Sequence, residues 1–457
     1  MALAEWSMGF GRTAIGRRDT IRWQARFIVR NIGKPVSGGE PTVTRNMQVD
    51  GQRLWNSLLE MAKIGETAKG GVCRLALSDV DKDGRDLFVR WCEEAGLKVR
   101  VDKIGNIFAR RSGRFDERPT IGTGSHLDSQ PTGGRFDGVY GVLAGLEVMR
   151  TLNDNQVETD APVELAMWTN EEGARFDPAM MGSGVYAGVF GLESTWEHLD
   201  REGASVKEAL TSIGYKGSEE IGGHRFGAFF EAHIEQGPIL ENENKTIGIV
   251  SGVQGIRWYD VIVTGDEAHA GPTPMNVRRD ALAGAAALIP GIYALALDRP
   301  PFGRATVGDF HSEPASRNTV PGVVTFSVDL RHPDEGQLVD MDAGLKAVAE
   351  SVVEERGLAC TVNDVWYSPP VAFDRQCVAA VGKSAELLGY PSMEIVSGAG
   401  HDAVYVSRTA PTGMIFIPCK GGISHNEIES ATPEDVEAGA NVLLHAILER
   451  SQGAGEN

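Results

Sequence analysis

The 457-residue sequence predicts an α/β protein whose main domain is interrupted by an inserted second domain. Apolar strands alternate with amphipathic helices through much of the chain, which is typical of a largely parallel sheet covered by helices. Between residues 251 and 364 the order changes to strand, helix, strand, strand and helix, which suggests a ferredoxin-like insert. The first pattern then resumes, so we expect the main domain to be discontinuous.

The domain boundaries follow from these patterns. We expect residues 46–250 and 365–450 to form the main domain, residues 251–364 the insert, and residues 451–457 a short tail. Residues 1–45 are rich in arginine and poor in acidic residues, and they contain no apolar run long enough for a secretory signal. We expect a disordered extension or a true start at Met47, with organelle import as the alternative.

Composition excludes several classes of function. The formal net charge of -19 argues against nucleic acid and anionic membranes as partners, because both need a basic face. The five cysteines form no C-x-x-C pair, so neither a disulfide framework nor a thiolate zinc site is indicated, and a cytoplasmic location suits them. Without an apolar run of about 18 residues, no membrane span is expected. The expected partner is a small molecule.

The strands and helices of the main domain lead into polar motifs. Val163–Trp168 reads as a strand that ends just before Glu171-Glu172, and residues 227–232 form a strand that runs into His233. Residues 138–152 have helical apolar spacing. Open α/β sheets place ligands at the carboxyl ends of their strands, so these motifs are expected to meet there.

Further elements are predicted in the insert and at the end of the chain. In the insert we expect strands at residues 257–263, 304–310 and 323–330, with helices at 279–297 and 336–356. After it, Thr412–Ile417 reads as a strand, and Thr432-Pro433 has the cap and first-turn residues of a last helix.

The segment from His126 to Asp137 carries metal-ligand chemistry. Imidazole and carboxylate are suitable ligands for an ion that activates water, and Asp137 is the candidate to bridge this ion to a second one. Glu171 and Glu172 allow a division of labour, with Glu172 on metal and Glu171 as the base. The Gly133-Gly134 pair is expected to turn the loop tightly and fold His126 back towards Asp137.

Two further histidines complete the expected metal set. His126, His233, His401 and His425 occur in polar, glycine-rich surroundings at predicted strand ends. We assign His233 and His425 as ligands, although any single one is also compatible with a purely structural role. The Asp128 carboxylate is expected to orient the His126 imidazole. Such ligands suit zinc, manganese, cobalt or nickel.

Polar residues of the predicted insert are candidates for substrate binding. Arg331 offers a guanidinium fork for a carboxylate, while His269 and Asn318 are placed to stabilise an oxyanion. An ordinary surface charge is the alternative for Arg331.

These motifs together resemble the hydantoinase/carbamoylase amidases, a branch of the dinuclear metallopeptidase superfamily that includes aminoacylases and carboxypeptidase-G-like enzymes. The resemblance runs roughly from Asn46 to Glu449. It is carried by the motifs Gly124-Ser-His-Leu-Asp-Ser-Gln-Pro-Thr-Gly-Gly-Arg-Phe-Asp-Gly138, Thr169-Asn-Glu-Glu-Gly173, His233-Ile-Glu-Gln-Gly237, His269-Ala-Gly-Pro-Thr-Pro-Met275, Arg317-Asn-Thr-Val-Pro-Gly322 and Gly398-Ala-Gly-His-Asp402, in this order.

The resemblance implies a phosphorylase/hydrolase-like mixed-sheet catalytic domain, an inserted ferredoxin-like dimerisation domain and two divalent metal ions per subunit. One metal would lie on His126, Asp137 and His233, and the other on Asp137, Glu172 and His425. Glu171 would be the catalytic acid and base. Substrate contacts are implied for Gln236, Asn318 and Arg331, and the insert would form a homodimer in which His269 reaches the partner's active site.

The activity implied is hydrolysis of the ureido C–N bond of N-carbamoyl-L-amino acids or N-carbamoyl-β-alanine, which yields the amino acid, carbon dioxide and ammonia. An allantoate- or ureidoglycolate-type amidohydrolase would use the same metal site. A dipeptidase-like relative and a metal-binding homologue without catalysis are also compatible with these motifs.

Overall fold

The structure is a computed structural model that describes residues 46–223 and 225–452, without the side chains of residues 352 and 353. The predicted extension at residues 1–45 and residues 453–457 of the predicted tail lie outside the described residues.

The strands of the described chain form three sheets. In chain order they are β1 Lys98–Val101, β2 Ile107–Arg111, β3 Thr120–His126, β4 Val163–Trp168, β5 Phe226–Ile234, β6 Ile247–Val253, β7 Gly255–Thr264, β8 Ala268–His269, β9 Arg304–Glu313, β10 Thr319–Val320, β11 Val323–His332, β12 Ala359–Ser368, β13 Val371–Ala372, β14 Ser392–Ser397 and β15 Thr412–Ile417.

The helices lie between these strands and at both ends of the described chain. They are α1 Gly51–Ala62, α2 Asp79–Glu94, α3 Val139–Asp154, α4 Met181–Tyr186, α5 Leu192–Trp196, α6 Val206–Ser212, α7 Ile239–Asn242, α8 Ala281–Leu297, α9 Glu335–Arg356, α10 Arg375–Leu388, α11 Asp402–Val406 and α12 Pro433–Gln452, with short 3₁₀ turns at Met275–Val277 and Lys420–Gly422.

The large sheet is mixed, with the strand order β1-β2-β4-β3-β5-β15-β6-β13 and with β14 also paired to β6. Its centre, β4-β3-β5-β15, is parallel throughout. The alternation of strands and helices predicts a largely parallel sheet. The sheet departs from this prediction at its edges. There β1 and β2 pair antiparallel across a short connection, and β6 runs antiparallel to β15.

Residues 255–368 supply a separate four-stranded antiparallel sheet with the order β12-β7-β11-β9. With α8 and α9 it has the strand-helix-strand-strand-helix-strand order of a ferredoxin-like unit. Side chains of β11 alternate strictly between buried and half-buried positions, so one face packs against the two helices and the other stays open. The fold is therefore α/β, with a mixed sheet and a second, smaller sheet.

The parallel centre of the large sheet decides where the polar motifs meet. His126 ends β3, Glu171 follows β4, and His233 lies near the end of β5. His425 follows β15. Since these four strands are parallel neighbours, all four residues come to one edge of the sheet. Among the described helices, none combines the length and the apolar character needed to cross a lipid bilayer.

Candidate active site

Asp137 lies at the centre of the site, and its two carboxylate oxygens face two different groups of side chains. Oδ1 is 3.1 Å from His233 Nε2 and 3.6 Å from His126 Nε2. Oδ2 is 3.4 Å from His425 Nε2, which in turn lies 3.3 Å from Glu172 Oε2. The predicted ligands therefore form two groups that share Asp137.

Backbone carbonyls fix the two buried imidazoles. His126 Nδ1 is 2.9 Å from the carbonyl oxygen of Asp128, and His233 Nδ1 is 2.9 Å from its neighbour's carbonyl, that of Ile234. A carbonyl accepts only, so each Nδ1 carries a hydrogen, and each Nε2 faces Asp137, where it can bind a cation once it carries no proton.

Asp128 contacts the His126 ring through its backbone carbonyl rather than through its carboxylate. The sequence suggested that the Asp128 carboxylate orients His126, yet Oδ1 lies 3.9 Å from Nδ1, beyond hydrogen-bond distance. The carboxylate instead accepts from the backbone N–H groups of Glu171 and Glu172, each at 3.2 Å. Asp128 thus ties the loop after β4 to the loop after β3.

Glu172 and His425 form the more open half of the site. The Glu172 carboxylate accepts from the backbone N–H and the side-chain amide of Gln130, at 3.1 and 2.8 Å. The His425 side chain is 51% exposed, whereas that of His126 is 2% exposed. One ligand group is therefore enclosed, and the other is accessible from solvent through His425.

Glu171 lies next to the enclosed group. Its Oε2 is 3.4 Å from His126 Nε2. Burial raises the pKa of Glu171 well above its ordinary value, and the negative charges of Asp402 and Glu172 add to this, although the His126 cation opposes it. Burial also raises the pKa of Glu172, to about 8. Several carboxylates therefore lie close together in the site, and in the absence of a cation the protonated forms of Glu171 and Glu172 are favoured.

The glycines of the loop between β3 and α3 serve close approach. The Gly133-Gly134 pair was predicted to allow a tight turn, but the residue with a left-handed backbone here is Gly138, at φ +66°. A side chain on Gly138 would lie 2.3 Å from the His126 ring, and one on Gly134 would lie 2.0 Å from the Glu429 carboxylate. Gly138 therefore makes room for the His126 imidazole, and Gly134 makes room for the Glu429 carboxylate.

Glu429 is a site residue that the sequence reasoning missed. It is 4% exposed, and its Oε1 accepts the backbone N–H groups of Phe136 and Asp137 at 2.9 and 3.1 Å. The Ser424 hydroxyl is shared between Glu429 Oε2, at 2.9 Å, and Asp137 Oδ2, at 2.8 Å. Burial raises the pKa of Glu429 to about 7, and the charge of Asp137 contributes. Its only sequence signal was its position four residues after His425.

Gln236 makes direct contact with the shared carboxylate. Its side-chain Nε2 donates to Asp137 Oδ2 at 2.8 Å. Both Gln236 and His425 adopt left-handed backbone conformations, at φ 56° and 52°. Such conformations are unfavourable for side chains of this size and persist where the surrounding structure holds them.

A buried polar layer lies behind the enclosed ligands. The ring of His401 stands 4.5 Å from that of His233, centre to centre, and its Nε2 is 2.9 Å from the Ser397 hydroxyl. Glu231 accepts from Ser125 Oγ at 2.7 Å and from the backbone N–H of Ala403 at 2.8 Å. Burial and the neighbouring His233 hold the pKa of His401 well below its ordinary value, so it stays neutral.

Arg331 lines a cavity of about 930 Å³ between the second sheet and the loop that carries Gln236. Its guanidinium is already paired, because Nε and Nη2 donate to Asp329 at 2.9 and 2.8 Å. Its Nη1 donates to the carbonyl of Gly398, on the other wall of the cavity, at 2.7 Å.

His269 and Asn318 belong to the small ribbon in which β8 pairs with β10. His269 ends β8, Asn318 directly precedes β10, and Ala270 N donates to the carbonyl of Asn318 at 2.8 Å. His269 is exposed. Within residues 46–223 and 225–452, neither of them belongs to the groups of side chains around Asp137.

The two groups fit divalent metal ions. The first offers one carboxylate and two imidazoles, and the second offers two carboxylates and one imidazole, with the ligand atoms of each group within 4.8 Å of one another. The crowded carboxylates with raised pKa values would be relieved by cations, and nitrogen and oxygen ligands of this kind suit first-row divalent metals.

Comparison with known proteins agrees with this geometry. The sequence model of peptidase family M20/M25/M40 matches residues 122–449. An N-carbamoyl-L-amino-acid amidohydrolase of Rhizobium meliloti is 48% identical over 407 residues, which cover 89% of this chain and 98% of the relative. An allantoate amidohydrolase of Bacillus subtilis is 34% identical over 385 residues, which cover 84% and 93%.

A solved structure shares the fold. The crystal structure of an amidase of the hydantoinase/carbamoylase family from Burkholderia multivorans matches with a TM-score of 0.87 and 58% identity, covering 89% of this chain and 98% of that one. The chain therefore belongs to peptidase family M20/M25/M40 and, within it, to the hydantoinase/carbamoylase amidases.

Proposed function

We propose that this protein hydrolyses N-carbamoyl-L-amino acids at the ureido C–N bond. The observation that carries the proposal is the pair of ligand groups that share Asp137, with the Glu171 carboxylate beside them. The 48% identity to an N-carbamoyl-L-amino-acid amidohydrolase over nearly its whole length supports this substrate class.

Two divalent metal ions per subunit belong to the proposal. His126, Asp137 and His233 would hold one, and Asp137, Glu172 and His425 the other. When bound, the ions would polarise the ureido carbonyl and make a water molecule more acidic. Zinc, manganese, cobalt and nickel all suit these ligands.

Glu171 is the proposed acid and base. Its carboxylate lies beside His126, where it would accept a proton from the attacking water and pass it to the leaving nitrogen. Overall, one water is consumed. The C–N bond to the amino acid breaks, the amino acid leaves with the proton, and the remaining carbamate decomposes to carbon dioxide and ammonia.

Substrate contacts are proposed for residues of the cavity. Gln236 links the cavity to Asp137, and Arg331 would attract the substrate carboxylate. Among the described residues, the side chains of His269 and Asn318 form hydrogen bonds with Gly271 and Ser316 of their own ribbon, so we assign them to the active site of a second copy of the chain.

A homodimer through the second sheet and its helices is the matching assembly. Helix α8 is apolar on all sides, and its outward face exposes Leu282, Tyr293 and Leu297 at 38%, 39% and 77%. A helix that is apolar all round is normally covered. A second copy would cover this face and bring the β8–β10 ribbon to a neighbouring active site.

The test is ammonia release by metal-loaded protein from N-carbamoyl-L-methionine, N-carbamoyl-β-alanine and allantoate. The Glu171→Gln variant should lose activity by at least about 100-fold while it retains its metal, because it keeps the shape of the side chain but cannot move the proton. Glu243→Gln, at an exposed glutamate, is the matched control.

The results also decide between substrates. Cleavage of allantoate alone would move the assignment to the activity named for the Bacillus subtilis relative. Activity that survives in Glu171→Gln would contradict the role of Glu171, whichever substrate is used.

A further inference from the structure

The open face of the second sheet forms one wall of the cavity that contains Arg331. The face opposite α8 and α9 carries Thr306, Asp329, Arg331 and Trp258, all of which line the cavity. The other wall is built by the segments 235–239 and 395–399 and by Phe416 of the main domain.

This cavity adjoins the metal-ligand groups through one side chain, that of Gln236. Gln236 lines it and donates to Asp137 Oδ2 at 2.8 Å. On the far side, Arg331 spans the gap to the carbonyl of Gly398 at 2.7 Å. A substrate whose ureido group lies at Asp137 and whose carboxylate lies at Arg331 would therefore occupy this cavity.

Asp329 fixes Arg331 and Trp258 relative to each other. Its carboxylate accepts from Arg331 Nε and Nη2 and also from the indole Nε1 of Trp258, at 2.9 Å. Trp258 on β7 lies directly across from Asp329 on β11. Arg331 is therefore a diagonal neighbour of Trp258 on the same face, and such neighbours are about 7–8 Å apart, within reach of aromatic side chains.

Trp258 presents an apolar surface to the cavity. It is 43% exposed, although its one polar group is already paired with Asp329. Trp366 supports it from the side, with ring centres 4.9 Å apart, and Val365 lines the cavity next to it. A half-exposed indole whose N–H is satisfied offers its ring to an apolar partner.

The acidic side chains of the cavity restrict the charge of a substrate. Glu235, Asp260 and Asp329 line it, and of these three, within the described residues, Asp329 alone is paired with an arginine, Arg331. Arg304 also lines the cavity and donates to the carbonyls of Pro301 and Gly303, so three carboxylates face two guanidinium groups, and a second negative charge on the substrate is disfavoured.

Resting on the proposed function, we propose that Trp258 forms the subsite for the substrate side chain and that the enzyme prefers N-carbamoyl-L-amino acids with aromatic or large apolar side chains. A carboxylate held by Arg331 places the α-carbon substituent beside the Trp258 ring. N-Carbamoyl-β-alanine has no such substituent, and N-carbamoyl-L-aspartate brings the wrong charge.

The test compares kcat/KM for N-carbamoyl-L-phenylalanine, N-carbamoyl-L-alanine, N-carbamoyl-L-aspartate and N-carbamoyl-β-alanine. We expect the phenylalanine substrate to exceed the alanine one by at least about tenfold, which is the usual discrimination of a hydrophobic pocket. In Trp258→Ala this preference should fall to about twofold, mainly through KM, because the phenylalanine substrate loses more than the alanine substrate.

Two further variants control the interpretation. Tyr367→Ala truncates another aromatic residue of the same sheet, also 43% exposed, that does not line this cavity, and it should keep the preference. Trp258→Phe keeps an aromatic ring and should keep most of it. Calorimetric binding of N-carbamoyl-L-phenylalanine to Glu171→Gln and to its Trp258→Ala double variant gives a readout independent of turnover.

The outcomes separate this inference from the proposed function. Equal efficiency on all carbamoyl substrates, or equal losses in Trp258→Ala for phenylalanine and alanine substrates, would overturn the subsite and leave the amidohydrolase assignment standing. Turnover of allantoate alone would overturn both. If Trp258→Ala does not fold, the same comparison is made with Trp258→Phe and Trp258→Leu, where only the leucine variant should lose the aromatic preference.

Discussion

Replacing Glu429 tests whether the shared ligand Asp137 is held by a carboxylate that is not itself in a ligand group. In the structure, Glu429 Oε1 accepts the backbone N–H groups of Phe136 and Asp137, and both residues are buried. Glu429→Ala leaves these two donors without their acceptor. It also removes one of the two oxygens that share the Ser424 hydroxyl.

The expected loss can be worked out from these contacts. Each buried donor left unpaired costs about 1–3 kcal/mol, so Glu429→Ala should lower the free energy of unfolding by about 2–6 kcal/mol. A domain of ordinary stability has only about 5–15 kcal/mol in total. Glu429→Gln keeps an oxygen for both N–H groups, so it should stay within about 1 kcal/mol of the wild type at acidic pH.

The two variants should also differ in how stability depends on pH. In the metal-free protein, burial raises the pKa of Glu429 from 4.5 to about 7. A raised carboxyl pKa means that the folded state is favoured below pH 4.5 and loses this advantage as the pH rises to about 7. The loss amounts to about 3 kcal/mol, and it is absent in Glu429→Gln, which should therefore gain on the wild type as the pH rises.

The assay is denaturant unfolding of the metal-free proteins between pH 4.5 and 8, followed by metal titration at pH 7. Glu386→Ala, at an exposed glutamate of α10, is the control. Glu429→Ala should bind metal more weakly than Glu429→Gln, because only the alanine variant frees the Asp137 backbone. If both variants unfold and bind metal like the wild type, the argument that Glu429 holds Asp137 is refuted.

Two other predictions concern metal binding and assembly. The pKa of Glu172 is raised to about 8 in the metal-free protein, so metal binding below this pH must expel its proton. The apparent metal affinity should therefore rise about tenfold per pH unit from pH 6 to 8. Calorimetry in buffers of different ionisation enthalpy would detect the released proton, and a metal affinity independent of pH would contradict this prediction. Leu297→Glu, on the outward face of α8, should convert the proposed dimer to monomers, as measured by light scattering. Leu387→Glu, at an exposed leucine of α10, is the control and should not. A Leu297→Glu protein that remains dimeric would place the interface elsewhere.

The sequence predicted best where burial imposes a simple pattern. The strands Val163–Trp168 and Thr412–Ile417 were placed to the residue, because both are fully buried apolar runs with polar loops on either side. The hairpin of β1 and β2 was not predicted. Its first strand, Lys98–Val101, alternates charged and apolar residues over only four positions, which is the shortest run that indicates a strand, and it has no continuous apolar run.

The site shows a similar division. The candidate ligands that gather around Asp137 could be chosen from the sequence, because imidazole and carboxylate in glycine-rich loops are informative by residue type alone. Their supports were not. Glu429 acts on Asp137 across 292 positions of sequence, through a backbone N–H, and any glutamate could do so. Gln130, 42 positions from Glu172 in the sequence, donates its side-chain amide to the Glu172 carboxylate. Such contacts depend on how loops meet, which only the folded chain decides.

The structure shows a contact of Arg331 that its residue type alone did not indicate. The guanidinium of Arg331 was expected to bind a substrate carboxylate, but its Nε and Nη2 donate hydrogen bonds to Asp329. This side-on pairing leaves the end of the guanidinium, formed by Nη1 and the second Nη2 hydrogen, towards the cavity, and Nη1 already contacts the Gly398 carbonyl. A substrate carboxylate would therefore bind end-on and displace the Gly398 carbonyl from Nη1. A charged acceptor forms the stronger hydrogen bond with a guanidinium group, so this exchange is favourable. Asp329 thus lowers the net charge at this point of the cavity, and it also fixes the direction from which a carboxylate would approach Arg331. Because Trp258 lies beside Arg331, this direction determines which part of the substrate would face the indole ring.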